Sequence, residues 1–470
     1  MNSDHDSPHS GDEKEILETK KHIGLNEVPN KPGRVENMKP DLSYLESEGT
    51  WDKLEIERPL AEKLIQLGYK KPSRIQYDVI RASKNQNIVA QSQNGSGKTL
   101  SFLIPAIRTA AKAAPSNSNL PAPSVIIIGN TVALIQQIAQ IVKMIVSDVY
   151  PLTLDVLYRG KKELDPKTDI LISTIAQIKN FFTKKQISFE RVAMAVVDEA
   201  DDVFHSDLDN NFFSLLVDKH FSNQDVRLLF TSATMTEKFR ELIKKLQEKA
   251  SIGIIEKETE ELTLKNVKQY MVISASKDQK LEFLNSMMTK LNVQNVLIFD
   301  NRKDDLRYAL QFLQKKGYKA ELVCKSDDPK DFQNDPSSIQ EKIDNFLAGK
   351  YRIMLTTNLL SRGIDMRKVT LVMNFSLPIR FVEENGQTSK KVDVETYLHR
   401  VGRTGRFGDC GIAINFVDSN AQMGMLEEIK SHYKNDVQEL RLDGISSLNE
   451  ELEKISQVNK ETRQNIENNI

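Results

Sequence analysis

The sequence predicts an α/β protein built as two domains in tandem, each a mostly parallel sheet flanked by helices. Three observations carry that prediction. The first is alternation: short apolar runs at 87–91, 124–128, 169–173, 192–197 and 227–231 are separated by longer stretches with helical character, as expected of buried parallel strands joined by right-handed crossovers. The second is that the alternation resumes, at 295–299, 320–323, 353–356, 370–374 and 411–416, after a Lys/Glu-rich stretch around 256–265. The third is size, because 470 residues exceed the roughly 250–300 at which a single core stops growing.

The expected organisation is an arm at 1–48, a first domain at 49–255, a linker at 256–265, a second domain at 266–446 and a C-terminal helix and tail at 447–470. The arm is rich in Asp, Glu, Lys, Ser and Pro, so it reads as disordered apart from one plausible helix at 13–22. At the other end, Leu448, Leu452 and Ile455 recur at helical spacing before the chain turns polar, which reads as a helix fraying into a tail. Lys plus Arg number 65 against 66 for Asp plus Glu, so no global basic field exists and any contact with nucleic acid must be a local patch. Cys324 and Cys410 are far apart, and the seven histidines form no ligand-spaced cluster with them. That argues against a disulfide framework or a structural zinc and suits a reducing compartment. No apolar run reaches the roughly 18–20 residues of a membrane span, and the first residues lack the order of a signal peptide. A soluble, intracellular monomer with no membrane partner is expected.

The run from Asn87 to Thr99 has the order strand, glycine-containing loop, helix that a phosphate-binding turn requires. Loop amides and a helix N-terminus point at the anion, and glycines allow close backbone approach. Ser92, Gln93, Asn94, Gly95, Ser96, Gly97, Lys98 and Thr99 form the loop. Lys98 is placed to reach the β- and γ-phosphates of ATP, and Thr99 to ligate Mg²⁺. The strict pattern begins with glycine, where this chain has Ser92. A second apolar run ends at Asp198-Glu199-Ala200-Asp201, putting carboxylates at a strand's C-terminal end, where open α/β sheets bind ligands. Asp198 suits Mg²⁺ held through water, and Glu199 suits the base that activates the attacking water. Ser232-Ala233-Thr234 ends a further run and should lie beside this tetrad. In the second series, the segment from Tyr397 to Gly408 sets His399, Arg400, Arg403 and Arg406 at fixed offsets between glycines. Guanidinium groups are the side chains best suited to charge on a transferring phosphoryl group.

Together these elements resemble the DEAD-box RNA helicases over residues 51–417, which implies two RecA-like domains that hydrolyse ATP and close on RNA. Gly68, Tyr69, Pro72, Ser73 and Gln76 resemble the family's adenine-reading segment, with Trp51 at its isolated upstream aromatic. Ser361-Arg362-Gly363-Ile364-Asp365 matches a further motif, implying Gly363 and Asp365 near the ATP ribose. The resemblance assigns Arg403 and Arg406 to the γ-phosphate. It gives domain coupling to Asp201, Ser232, Thr234, His399 and Arg400, and RNA contact to Thr174, Thr357 and Arg362. A narrower likeness, to the messenger-RNA-export subfamily of the nuclear pore, rests on Ala90-Gln91-Ser92-Gln93, Thr356-Thr357-Asn358 and Asn385-Gly386-Gln387. It implies a pore nucleoporin and an activator bound with inositol hexakisphosphate as partners, and a place at the pore's cytoplasmic face.

The departures are selective. Val132 and Ala133 replace an Arg-Glu pair, and Ile175, Ala176 and Gln177 stand where Pro-Gly-Arg is usual. The family's His-Gly-Asp is missing around 323–328, its Gln-x-x-Arg is missing before Phe346, and the segment 381–394 is longer than the subfamily's. Each lost cation weakens the hold on RNA phosphates and flattens its salt dependence. The expectation is an ATPase with weak RNA stimulation and poor strand separation; the alternative is an ATP-gated clamp or scaffold on a protein partner.

Overall fold

The computed structural model describes residues 49–92, 96–115, 118–221, 225–256, 266–274, 276–291, 293, 295–324, 336–361, 366, 369–384, 387–405, 409–441 and 444–469. The expected arm, its helix at 13–22 and nearly all of the expected linker lie outside these residues.

Short runs of branched and other large apolar residues become strands because both of their faces are covered. In the first half these are β1 (Asn87–Gln91), β2 (Val125–Ile128), β3 (Leu154–Leu157), β4 (Ile170–Ser173), β5 (Met194–Val197), β6 (Arg227–Ser232) and β7 (Ile252–Glu256). Between and around them run α1 (Arg58–Gln66), α2 (Arg74–Ala82), α3 (Lys98–Lys112), α4 (Val132–Val146), α5 (Ile175–Thr183), α6 (Ala200–Val203), α7 (Asp207–Leu216) and α8 (Glu237–Gln247). The strands pair in parallel in the order β3-β4-β2-β5-β6-β1-β7. Because β5, β6 and β1 are neighbours, one edge of the sheet gathers the ends that lead into the acidic tetrad, the Ser-Ala-Thr turn and the phosphate loop.

The second half repeats the plan with β8 (Val267–Ile273), α9 (Lys277–Lys290), β9 (Val296–Phe299), α10 (Lys303–Lys315), β10 (Ala320–Val323), α11 (Pro336–Leu347), β11 (Ile353–Thr356) and β12 (Leu371–Asn374). It continues through β13 (Ile379–Glu384), β14 (Gln387–Val392), α12 (Val394–Val401), β15 (Gly411–Val417), α13 (Asn420–Tyr433), β16 (Val437–Glu439) and α14 (Ile445–Asn469). Its parallel order, β10-β11-β9-β12-β15-β8-β16, matches the first sheet position for position. β13 and β14 stand apart as an antiparallel hairpin with Ile379 opposite Val392 and Phe381 opposite Lys390.

The two halves touch. Ala133, 8% exposed at the start of α4, packs into a cluster otherwise built from second-half residues, including Leu297, Phe299, Phe346, Leu360 and Val369. α11 contacts α4 at the same place.

Several elements differ from the expectation. β3, β7, β8 and β16 have no counterpart among the expected strands, because polar residues interrupt or end the apolar pattern in β3, β8 and β16 and Gly253 breaks the run in β7. In β8, Gln269 is nevertheless buried, its amide oxygen accepting from the Tyr397 hydroxyl at 2.5 Å. The longer segment near 381–394, for which no element was expected, is largely the β13–β14 hairpin. The expected frayed tail is instead one helix to Asn469, and polar side chains hold it beyond its apolar stripe. Glu451 bonds the Tyr270 hydroxyl and Lys268. Buried Asn459 accepts from the Cys410 N–H at 2.6 Å and donates to the Cys410 carbonyl at 2.9 Å.

Candidate active site

The phosphate loop leaves β1 at Gln91 and enters α3 at Lys98. Gly97 has φ +92°, and a Cβ there would lie 2.4 Å from Gln76 Nε2, so this position requires glycine. Ser92, at the place of the usual first glycine, braces the loop. Its N–H donates to the Ser232 carbonyl at 3.1 Å and its hydroxyl to Ser96 Oγ at 2.7 Å. The Lys98 ammonium donates to the Ser92 carbonyl, lying along the loop it serves. Thr99 is half-buried in the first turn of α3. Gln93, Asn94 and Gly95 lie outside the described residues.

The segment carrying Ser73 and Gln76 is fastened to this loop. The Ser73 hydroxyl donates to the Ser96 carbonyl at 3.0 Å. Gln76 Oε1 accepts from the Ser73 N–H at 2.9 Å, and Gln76 Nε2 donates to the Gly97 carbonyl at 3.2 Å. A carboxamide has two donors and two lone pairs, so these two bonds use only one of each on Gln76. Trp51 differs from the expectation of an ATP-facing aromatic. It is 3% exposed within the first half's core, and its indole N–H donates to the Tyr69 carbonyl at 2.8 Å. It therefore shapes the turn carrying half-buried Tyr69 and has no face to offer a base.

β5 delivers the tetrad. The Asp198 N–H continues the ladder to the Ile128 carbonyl at 2.8 Å. Asp198 Oδ1 accepts from Thr231 Oγ at 2.6 Å and from the Glu199 N–H at 3.0 Å. Burial pushes the Asp198 carboxyl above its ordinary range, opposed by the Thr231 hydrogen bond and the nearby Lys98 charge. Glu199 has φ +51°, a left-handed backbone that costs energy for a non-glycine residue. Thr231 was not among the expected site residues. The β5–β6 register places Val197 opposite Phe230, so the next residue of each strand, Asp198 and Thr231, must meet.

A chain of polar contacts runs from this edge to the second half. The Ser232 hydroxyl donates to the Thr234 carbonyl at 2.6 Å and accepts from the Thr234 N–H at 3.2 Å. Thr234 Oγ donates to Asp201 Oδ2 at 2.6 Å, and that same oxygen lies 3.6 Å from His399 Nε2. The Asp201 and His399 side chains are 0% and 1% exposed. His399 sits on α12, whose first turn is capped by Asp393 accepting from the Thr396 N–H at 3.0 Å.

Arg400, one residue on, points the other way. Its guanidinium bonds Asn358 Oδ1 at 2.5 Å and 2.8 Å, Asn301 Oδ1 at 2.8 Å, the Ser376 carbonyl at 2.8 Å and Asn374 Oδ1 at 3.3 Å, and lies over the Phe299 ring. Burial pulls its pKa down to about 9, with Asp300 and Asp393 opposing. All of these partners belong to the second half, so Arg400 ties the ends of β9, β11 and β12 together and does not bridge the halves as expected. Arg403 is buried, with its Nε donating to the His399 carbonyl at 3.2 Å. Gly405 has φ +68°, and a Cβ there would lie 2.6 Å from Val267 Cγ2, so the turn after Arg403 also requires glycine. Arg406, Arg362, Gly363 and Asp365 lie outside the described residues. Thr174 begins α5, and half-buried Thr357 follows β11.

Residues 73–242 match the model for the DEAD/DEAH box helicase family, and residues 279–408 match that for the helicase conserved C-terminal domain. The Homo sapiens ATP-dependent RNA helicase DDX19B is 30% identical over 427 residues, covering 88% of this chain and 82% of that protein. The Botryotinia fuckeliana ATP-dependent RNA helicase dbp5 is 27% identical, covering 88% and 85%. The structure of S. cerevisiae Dbp5 bound to RNA and ADP BeF3 superposes with a TM-score of 0.73 at 23% identity, covering 87% of this chain and 99% of that one. It shares the fold of two tandem RecA-like domains. A phosphate loop and acidic tetrad on one domain, joined through Asp201 and His399 to an arginine helix on the other, thus coincide with both family models, and the chain belongs to the DEAD-box ATP-dependent RNA helicases, which hydrolyse ATP.

Proposed function

We propose that this chain remodels RNA or ribonucleoprotein by closing its two domains on single-stranded or short duplex RNA, without reading base sequence, and that it serves messenger-RNA export at the cytoplasmic face of the nuclear pore. The observation carrying the closure mechanism is the buried contact of Asp201 with His399, which continues through Thr234 and Ser232 to the Ser92 amide. A phosphate loop linked in this way to the arginine helix couples ATP use to the meeting of two domains.

The residues take the following roles. Loop amides and the α3 N-terminus receive the phosphates, and Lys98 neutralises them. Gln76 pairs with adenine while fastened to Gly97, and Gly363 and Asp365 face the ribose. Thr99 and Asp198 are the residues that would hold Mg²⁺, which when bound neutralises charge between the phosphates. Glu199 takes the proton of the attacking water, and Arg403 with Arg406 stabilises the charge that develops. Thr174, Thr357 and Arg362 hold the sugar-phosphate chain. A structure of S. cerevisiae Dbp5 with Nup159, Gle1 and IP6 makes a nucleoporin and an activator the partners to test here.

ATP turnover with and without single-stranded RNA tests the reading. RNA should raise turnover, modestly, and Lys98→Ala should abolish productive nucleotide binding. Glu199→Gln should bind nucleotide normally while losing roughly 10²–10⁴ in rate. Turnover indifferent to RNA rejects the RNA dependence, and normal turnover in the glutamine variant rejects the base assignment.

A further inference from the structure

In the second sheet, β9 and β12 are neighbours whose chains leave in opposite directions, β9 toward β10 and β12 toward β15. The helices that follow them also part: α10 packs with Ile412 and Ile414 of β15, and α12 with Ala413 between them, so they cover opposite faces. Such a divergence leaves a crevice at the strands' C-terminal ends, where open α/β sheets take their ligands. A cavity of about 670 Å³ opens there, within the roughly 300–1,000 Å³ of small-ligand pockets. Its floor is saturated. Buried Lys280 donates to the Phe375 carbonyl and to Asp418, each at 2.8 Å. Buried Asp300 accepts from the Arg302 N–H at 2.9 Å and from the Ser376 hydroxyl at 3.1 Å. Its lip is not saturated. Ile379, Phe381 and Lys390 line it, so alternate residues of β13 face the cavity. Val392, opposite Ile379 at the root of the hairpin, is 1% exposed, whereas Phe381, opposite Lys390, is 66% exposed. Lys390 is exposed and has no carboxylate partner among the described residues.

We infer that the hairpin is a base-stacking platform, on which Phe381 takes the face of one nucleobase of bound RNA and Lys390 its phosphate. The inference rests on the RNA reading above. The segment that forms the hairpin is longer than that of the subfamily the chain resembles, so no family role comes with it. Three features select a nucleobase as the occupant. Thr357, proposed to hold the sugar-phosphate chain, lines the same cavity, so a strand held there brings a neighbouring nucleotide to the hairpin. An exposed aromatic beside a cation is the pairing that grips single strands, since every base offers a π-face. The charge inside the cavity is also matched: Lys277 is paired with Asp305 and Lys280 with Asp418. That interior suits a neutral base, with its phosphate left outside at Lys390. Stacking strength rather than hydrogen-bond readout then sets a modest preference for the larger purines, which is compatible with a backbone grip that reads no sequence.

The test measures binding of fluorescent oligoadenosine and oligouridine of equal length to the full chain with a non-hydrolysable ATP analogue. A stacked base is worth on the order of 5- to 100-fold in affinity. Phe381→Ala should therefore weaken oligoadenosine binding within that range and oligouridine binding by less. Phe381→Trp should keep the preference, and Phe381→Leu, which is apolar but cannot stack, should lose it as alanine does. Because Phe381→Ala removes no phosphate contact, the slope of its log affinity against log salt should match that of wild type. Lys390→Gln should lower that slope by about 0.7. Phe381 lies outside the core, so its variants should melt as wild type does. Wild-type affinity in Phe381→Ala overturns the platform and leaves the hairpin to a protein partner, while the RNA reading stands. Leucine serving as well as tryptophan overturns stacking in the same way. If wild type binds no RNA, both fall.

Discussion

Asp198 carries two demands that conflict. To hold a cation as proposed it must stay ionised, yet burial favours its neutral form. Thr231 and Lys98 oppose burial without cancelling it. Because the folded-state pKa is raised, protonation begins above the ordinary carboxylate range as pH falls, and the acid limb of kcat/KM should lie there. Thr231→Val removes a hydrogen bond to the ionised form, so it should move that limb to higher pH, checked by a pH–rate profile. A limb that stays put would mean that Asp198 does not govern it. Thr231 also shows what single residues conceal. The sequence marks Asp198, Lys98 and Arg403 by motif, whereas Thr231 is fixed only by register, which depends on which strands are neighbours. Trp51 and Arg400 err in the opposite sense. Their positions in the string are motif positions, but burial turns one into a prop for Tyr69 and the other into a knot joining strand ends.

At the scale of elements, the strands buried on both faces were legible because a continuous apolar run leaves little alternative. One that was not legible, β8, buries a polar side chain, Gln269, satisfied by the distant Tyr397. The C-terminal helix is the sharpest instance. Apolar spacing accounts for Ile445 to Val458, and the next residue, Asn459, is a carboxamide that fills both backbone groups of Cys410 as a neighbouring strand would. Asn459→Leu leaves a buried N–H and carbonyl without partners, at a cost of about 1–3 kcal/mol. Urea unfolding should register the loss. Cys410 follows the arginine segment closely, so RNA-stimulated turnover should fall as well, while nucleotide affinity of the first domain should hold. Equal stability in the variant would show that the clamp is idle.

For the whole molecule, the two contacts between halves differ in kind. Asp201 with His399 is polar and belongs to the site, whereas Ala133 is apolar and stands where the family resemblance expects the Glu of an Arg-Glu pair. Closure that leans on Ala133 needs less help from RNA, which predicts weak stimulation. Ala133→Glu would bury a charge among Leu360, Val369 and Phe346, which is costly without a partner. The variant should open in small-angle scattering, lose RNA-free turnover and show a larger fold-stimulation by RNA. An unchanged radius of gyration would count against the contact as a closure device. The indole fastened to Tyr69 has a further consequence. Trp51 is the chain's single tryptophan, so tryptophan emission reports on the first domain and is silent on the second. In a denaturant titration, emission colour follows one domain while circular dichroism follows both. Any gap between the two curves measures how far the halves unfold independently, with no label attached.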